Sequence, residues 1–253
     1  MVKNYKAYSY NIYLIKLVLM NKKVKIAICI TIILIFAYVA FYLTECHPAQ
    51  EGATKYLNGT DNVSVEKIGD DIFLDGPGND TALIFYPGAK NEYTSYLPMF
   101  VKIAERGVDS YIVKMPFNFA FFGENEADSI IDTTNYSHYI MSGHSLGGLS
   151  AASYASHTGK ADGVVIISGY PTEKIDKPVL SIYGSEDGVL NMKAYNESKA
   201  KISNLTEFVI DWGNHAQFAY YGHQDGDNPA KISPEIQQSQ AVDKIMEFID
   251  KIT

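Results

Sequence analysis

Apolar and polar positions divide the chain into stretches of different texture. Ile26 to Leu43 (IAICITIILIFAYVAFYL) is a run of 18 uncharged, mostly apolar residues. Wound as a helix at ~1.5 Å per residue it reaches ~27 Å, close to the ~30 Å of bilayer hydrocarbon. No polar face exists for it to turn to water, which argues against a buried core helix. After it, positions 44–62 are small and polar and read as a linker. Beyond that, short β-rich apolar runs alternate with longer stretches of helical spacing. Strands are predicted at Thr81–Tyr86, Ser110–Val113, His138–Met141, Gly163–Ser168, Val179–Tyr183 and Glu207–Ile210. Several are apolar at successive positions, as strands buried on both faces should be. Helices are predicted at Thr94–Arg106, Leu146–His157, Met192–Ile202 and Pro234–Ile252, the last opened by Ser233-Pro234-Glu235, an N-cap with proline at the first helical position.

Alternation of this kind predicts an α/β fold, a mostly parallel doubly wound sheet covered on both faces. Val63 to Leu74 should add one or two antiparallel strands at the edge. The chain then divides into an N-terminal segment (1–25), one transmembrane helix (26–43), a linker (44–62) and an α/β domain (63–253). Lys22, Lys23 and Lys25 precede the apolar run and Glu45 is the first charge after it. The positive-inside rule puts residues 1–25 in the cytoplasm and the α/β domain outside. Cleavage as a signal peptide, giving a secreted protein, is the alternative. It is weakened because Ala37 and Ala40 are three residues apart, whereas a cleavage site has small residues two apart. A lipoprotein is disfavoured by Glu45 directly before Cys46. Met20-Asn21-Lys22-Lys23 has the form of an export-signal start, which makes Met20 a candidate initiator.

Composition narrows the function. The formal net charge is −8, with no basic run outside the N-terminal region, so nucleic acid is not an expected partner. Both cysteines, Cys29 and Cys46, precede the α/β domain, so neither a disulfide framework nor a cysteine metal site is expected in it. Gln224-Asp225-Gly226-Asp227-Asn228 lacks the spaced ligands and terminal glutamate of a calcium loop and reads as a plain turn. No metal or other cofactor is expected. Six Asn-x-Ser/Thr sites, Asn58 and Asn204 among them, matter only where the host glycosylates exported proteins.

The chemistry centres on HYIMSGHSLGGLSAASYA, where a strand runs through Gly143-His144-Ser145-Leu146-Gly147 directly into a helix. A serine on such a turn has strained backbone angles, and the flanking glycines let neighbouring backbone approach. The helix start supplies N–H groups to a developing oxyanion. Ser145 is the candidate nucleophile; a glycine-rich turn without chemistry is the bland alternative. Serine needs a base, and in this strand–elbow–helix arrangement the acid and the histidine follow it in chain order. Asp187, in the turn after VLSIYG, is the candidate acid, with Glu186 beside it as the alternative. His215, in the loop after EFVI, is the candidate base, with His223 as runner-up. His144 reads as a packing residue. The oxyanion hole is expected from the backbone N–H of Leu146 and of Ala89, with Gly88 as the alternative in that loop.

GHSLGG, GSEDG and GNHAQF together resemble the α/β-hydrolase superfamily over roughly residues 63–252, in a compact bacterial branch laid out like dienelactone hydrolase. Dienelactone hydrolase itself has a cysteine nucleophile where this chain has Ser145, so its lactone substrate does not carry over. The resemblance implies acyl transfer through Ser145, His215 and Asp187 on a small-molecule ester or another acyl substrate. A thioesterase, amidase or acyltransferase, and a non-catalytic surface-displayed binding module, are the rival readings. Only Gly169 to Lys177 separates two strands where lipases often insert a lid, so an open site and small or accessible esters are expected. Phe117, Phe119, Phe218 and Tyr221 are the candidate substrate-binding residues; core packing is their alternative role.

Overall fold

The computed structural model of the protein describes residues 20–78 and 80–253. The cytoplasmic segment expected at 1–25 therefore lies outside the described residues up to position 19. The chain forms two compact units, one up to Glu45 and one from Cys46 to Thr253.

The first unit contributes α1 (Lys22–Thr44), a helix long and apolar enough to cross a membrane. Asn21 caps its start, accepting the Lys23 N–H at 2.9 Å. The hydroxyls of Thr31 and Thr44 turn back to the carbonyls of Ala27 and Ala40, both at 3.0 Å. Polar side chains so satisfied can sit in hydrocarbon without an unpaired group.

In the second unit, α2 (Glu51–Thr54) precedes the hairpin β1 (Ser64–Ile68) and β2 (Asp71–Asp75). There follow β3 (Thr81–Tyr86), α3 (Leu97–Ala104), β4 (Asp109–Ile112), α4 (Ala127–Ile131), β5 (His138–His144) and α5 (Leu146–Thr158). The chain ends with β6 (Gly163–Ile167), β7 (Ile175–Gly184), α6 (Met192–Ser198), β8 (Ile202–Ile210) and α7 (Pro234–Ile252). The eight strands form one sheet in the order β1-β2-β4-β3-β5-β6-β7-β8. β1 and β2 run antiparallel at one edge, and β3 to β8 are mutually parallel.

The two-residue period of the strands splits the core between the faces. Leu83, Phe85, Ile140, Val165 and Ile167 point to one side and pack with α3 and α7. Ala82, Ile84, Met141, Val164 and Ile166 point to the other and pack with α4 and α5. This is why the central strands are apolar throughout. β3 is followed in space by β4 on one side and β5 on the other. The chain reverses its strand order there, which opens a crevice beyond the carboxyl ends of β3 and β5.

Three expectations change. The stretch 44–62 is a linker only at its start. His47 bridges to Asn91, its N–H reaching the Lys90 carbonyl at 2.7 Å, and the Gln50 N–H reaches Tyr220 at 2.8 Å. The α/β unit thus begins at Cys46, seventeen residues before the expected Val63. The helix expected over Met192–Ile202 ends at Ser198, because β-branched Ile202 pairs with Ile175 and opens β8. β7 starts at Ile175 rather than Val179, and a register shift accommodates Pro178 inside it.

Candidate active site

β5 delivers Ser145 to the crevice at the sheet's switch point. Its backbone sits at φ 54°, ψ −122°, a conformation that costs a non-glycine residue about 1–3 kcal/mol. Surrounding contacts hold it there. The Ser145 N–H reaches the Ile167 carbonyl at the end of β6, at 2.8 Å. A Cβ on Gly147 would overlap the carbonyl oxygens of Tyr86 and Pro87, and one on Gly143 would overlap the Gly147 backbone. Both clashes are with backbone that cannot swing aside. Gly147→Ala should therefore destabilise the domain by ~3 kcal/mol or more, the upper end of overpacking costs. Thermal denaturation measures this; an unchanged Tm would contradict the close approach of α5 to the β3 loop.

The acid and the histidine lie on the turns after β7 and β8. Asp187 Oδ1 accepts the N–H groups of Val189 at 2.9 Å and Leu190 at 2.8 Å, a local turn that fixes its carboxylate. His215 Nδ1 lies 2.9 Å from Oδ2 and 3.1 Å from Oδ1 of Asp187. Both side chains are 1% exposed. Burial pushes the Asp187 carboxyl up, but the bond from His215, the adjacent imidazole and the Leu190 N–H outweigh it and hold it below its ordinary value. An anionic Asp187 makes Nδ1 the protonated ring nitrogen, so a neutral His215 carries its lone pair on Nε2. That atom is buried and has no hydrogen-bond partner among the described residues.

Ser145 and His215 line one cleft of about 130 Å³, walled by Leu146, Leu149, Val189, Leu190 and Tyr170. The Ser145 hydroxyl makes no hydrogen bond to Nε2 here; such bonds often tighten only with substrate in place. The alternatives raised by the sequence lie elsewhere. Glu186 pairs with Lys231 at 3.0 Å, and His223 is an exposed side chain 3.9 Å from Asp225.

His144 links the histidine loop to the β3 loop. Burial first, then the neighbouring His215, lowers its pKa well below the ordinary histidine value, so the ring is neutral. Its Nε2 lies 3.1 Å from the His215 carbonyl, which can only accept, so Nε2 carries the proton and Nδ1 accepts from the Tyr96 hydroxyl at 2.9 Å. The same hydroxyl oxygen accepts the Gly88 N–H at 3.1 Å. Gly88 is thereby withdrawn as an oxyanion donor, a correction to the alternative held for it. The Ala89 N–H makes no hydrogen bond among the described residues. The Leu146 N–H, in the first turn of α5, has no intrahelical partner.

The expected substrate-binding aromatics need correcting as well, since none of the four lines the Ser145 cleft. Phe218 and Tyr221 are buried in the core beneath α3 and α7, because the loop after His215 folds back against those helices. Phe117 is 56% exposed and borders a separate cavity with Asp71 and Lys114, while Phe119 stacks edge-on with Phe121 and Phe122. Leu149, Tyr170, Val189, Leu190 and Asn191, which do line the cleft, carry no motif that marks them in a single sequence.

The model of the alpha/beta hydrolase family matches residues 82–239. No curated protein matches the chain. Solved structures resemble it at low identity. A predicted CIB-like hydrolase from Thermoplasma acidophilum superposes with a TM-score of 0.54 at 12% identity, covering 73% of this chain and 99% of its own. A ferulic acid esterase from Streptomyces cinnamoneus gives 0.56 at 15%, covering 70% and 68%. A thermophilic esterase from Thermogutta terrifontis, solved with propionate bound, gives 0.52 at 13%, covering 78% and 97%. At such identities these structures speak to the fold, while the family match spans more than half of the sequence and includes Ser145, Asp187 and His215. The chain belongs to the alpha/beta hydrolase family.

Proposed function

We propose that the protein is a serine hydrolase that cleaves carboxylic esters with small acyl groups, held at a membrane by α1. The observation that carries this reading is the buried Asp187–His215 pair, which leaves Nε2 unpartnered in the cleft that Ser145 also lines. In the mechanism, Nε2 takes the Ser145 proton as Oγ attacks the ester carbonyl. The imidazolium so formed is stabilised by Asp187. The backbone N–H groups of Leu146 and Ala89 receive the oxyanion, and each such donor is worth about 3–4 kcal/mol in comparable sites. His215 then returns the proton to the departing alkoxide, and water releases the acyl group by the same steps.

Cleft size argues for the substrate. About 130 Å³ is well under the ~300 Å³ at which sites for drug-sized ligands begin, and its walls are mainly aliphatic. Short acyl chains fit it, and one esterase neighbour was solved with propionate bound. The test is a p-nitrophenyl series. Acetate to butyrate should exceed palmitate in kcat/KM by ~100-fold, because forcing a longer chain into a filled cleft costs about 1–3 kcal/mol. Leu149→Ala should move the optimum to longer chains. A palmitate optimum would overturn the assignment, and thioester and amide analogues run alongside test the rival chemistries.

The lysines before the apolar run and Glu45 after it support an anchor with the hydrolase domain outside the cytoplasm. The mass of the membrane-extracted protein decides between anchor and cleaved signal, since cleavage removes several kilodaltons.

A further inference from the structure

The turn Gly226-Asp227-Asn228 carries none of the three reacting side chains, yet its carboxylate touches the loops of two of them. Asp227 Oδ1 accepts the N–H of Gly188 at 3.0 Å and of His215 at 3.2 Å, as well as that of its neighbour Asn228 at 3.0 Å. Oδ2 accepts the Ala216 N–H at 2.9 Å. One anionic group therefore ties the residue after Asp187 to His215 and to the residue after His215. Bonds from N–H groups to a carboxylate are roughly twice as strong as neutral ones. The same ring of donors makes the site unsuitable for a cation, since four N–H dipoles point their positive ends at the oxygens.

His215 is in this way held at both of its backbone polar groups by side chains. Asp227 takes its N–H, and His144 Nε2 donates to its carbonyl. Besides the Asp187–His215 pair itself, the turns after β7 and β8 are tied on their inner side, where the Glu186 N–H reaches the Gly213 carbonyl and the Trp212 N–H reaches Ser185 Oγ, both at 2.8 Å. We propose that Asp227 is a positioning residue: it sets the spacing of the Asp187 and His215 loops so that Nδ1 meets Asp187 and Nε2 remains available to Ser145. It acts on the reaction only through His215 and Asp187, and the proposal rests on the triad reading above.

The test uses the full chain in detergent or nanodiscs, with Asp227→Ala and Asp227→Asn compared with the unmodified protein. Three quantities are read: kcat and KM on p-nitrophenyl acetate, the rate of Ser145 modification by a fluorophosphonate, and the downfield Nδ1–H resonance of His215 in proton NMR. Misplacement of a reacting group by ~1 Å can cost 100-fold, so Asp227→Ala should lose about that factor in kcat and in labelling rate. KM should stay within about twofold, because the acyl cleft is untouched. The downfield resonance should broaden or vanish. Asp227→Asn should fall between, since its remaining oxygen can accept from Gly188 and His215 while its amide opposes the Ala216 N–H. A folded Asp227→Ala protein that keeps kcat, labelling rate and resonance, with any loss confined to Tm, overturns the proposal. If the alanine variant does not fold, an asparagine variant unchanged in all three does the same. Failure of the unmodified protein to label at Ser145 sinks the triad reading and this proposal with it, whereas normal labelling beside unaffected variants sinks this proposal alone.

Discussion

Ser145→Ala is expected to lower kcat on short esters by about 10⁶-fold, the size of loss seen when a triad nucleophile is removed, leaving only catalysis by binding and the oxyanion donors. The loss should be purely chemical. The Ser145 hydroxyl is not part of the Asp187–His215 pair, so that pair and the elbow survive its removal. Stability points the other way. At φ 54°, ψ −122° the residue is strained by about 1–3 kcal/mol, which glycine would relieve at a cost of about 0.5–1 kcal/mol in unfolded-chain entropy. Ser145→Gly should therefore be inactive yet more stable by ~1 kcal/mol, or roughly 2–4 °C in Tm for a domain of this size. Alanine keeps the strain and should leave Tm nearly unchanged. Steady-state kinetics with differential scanning calorimetry checks both halves. Retained activity in either variant would remove Ser145 from the chemistry, and a less stable glycine variant would remove the strain.

Asp187→Asn is expected to cost about 10⁴-fold in kcat with little change in the fold, and the geometry says why. Both turn N–H groups bond to Oδ1, while the closer approach to His215 is through Oδ2. An asparagine keeps its carbonyl oxygen on Val189 and Leu190 and so turns its NH₂ toward Nδ1. Two donors cannot face each other, so the ring shifts to the tautomer with the proton on Nε2, and the base is lost. Alanine at the same position removes the acceptor of the buried His215 Nδ1–H and of the two turn N–H groups together, and should destabilise by about 1–3 kcal/mol for each buried donor left without a partner. The acid dependence has a fixed sign. The folded Asp187 carboxyl lies below its ordinary value, so its contribution to stability is complete above the unfolded carboxylate pKa of about 3.9 and fades as pH falls through the lower folded value. The stability gap between the wild-type protein and Asp187→Asn should narrow over that acidic range. Denaturation at pH 7 and in the acidic range measures it; a gap that widened on acidification would contradict the depressed carboxyl.

Strand positions were legible because burial on both faces imposes unbroken apolar runs, and TALIFY becomes β3 residue for residue. The elbow was legible because Gly143, Ser145 and Gly147 answer to local backbone constraints that any single sequence displays. Chain order suggested Asp187 and His215 as candidates, each just beyond a strand end, and the structure brings the two within 2.9 Å of each other. What the sequence hid is set by tertiary approach. Phe218 and Tyr221 look like cleft aromatics in one dimension and are core residues in three. Asp227 reads as a turn former, and nothing local says that Gly188 and His215 will bring their N–H groups to it. The segment from Cys46 looks like a tether because it is small and polar, yet its backbone bonds to Lys90 and Tyr220 make it part of the domain.

Peptide mapping after fluorophosphonate treatment is the most direct measurement. The wild-type protein should carry one adduct, on Ser145, while His215→Ala should label at least ~10³-fold more slowly because the hydroxyl has lost its base. A folded wild-type protein that takes no adduct at Ser145, or that labels at the same rate with and without His215, would contradict a serine hydrolase working through this site.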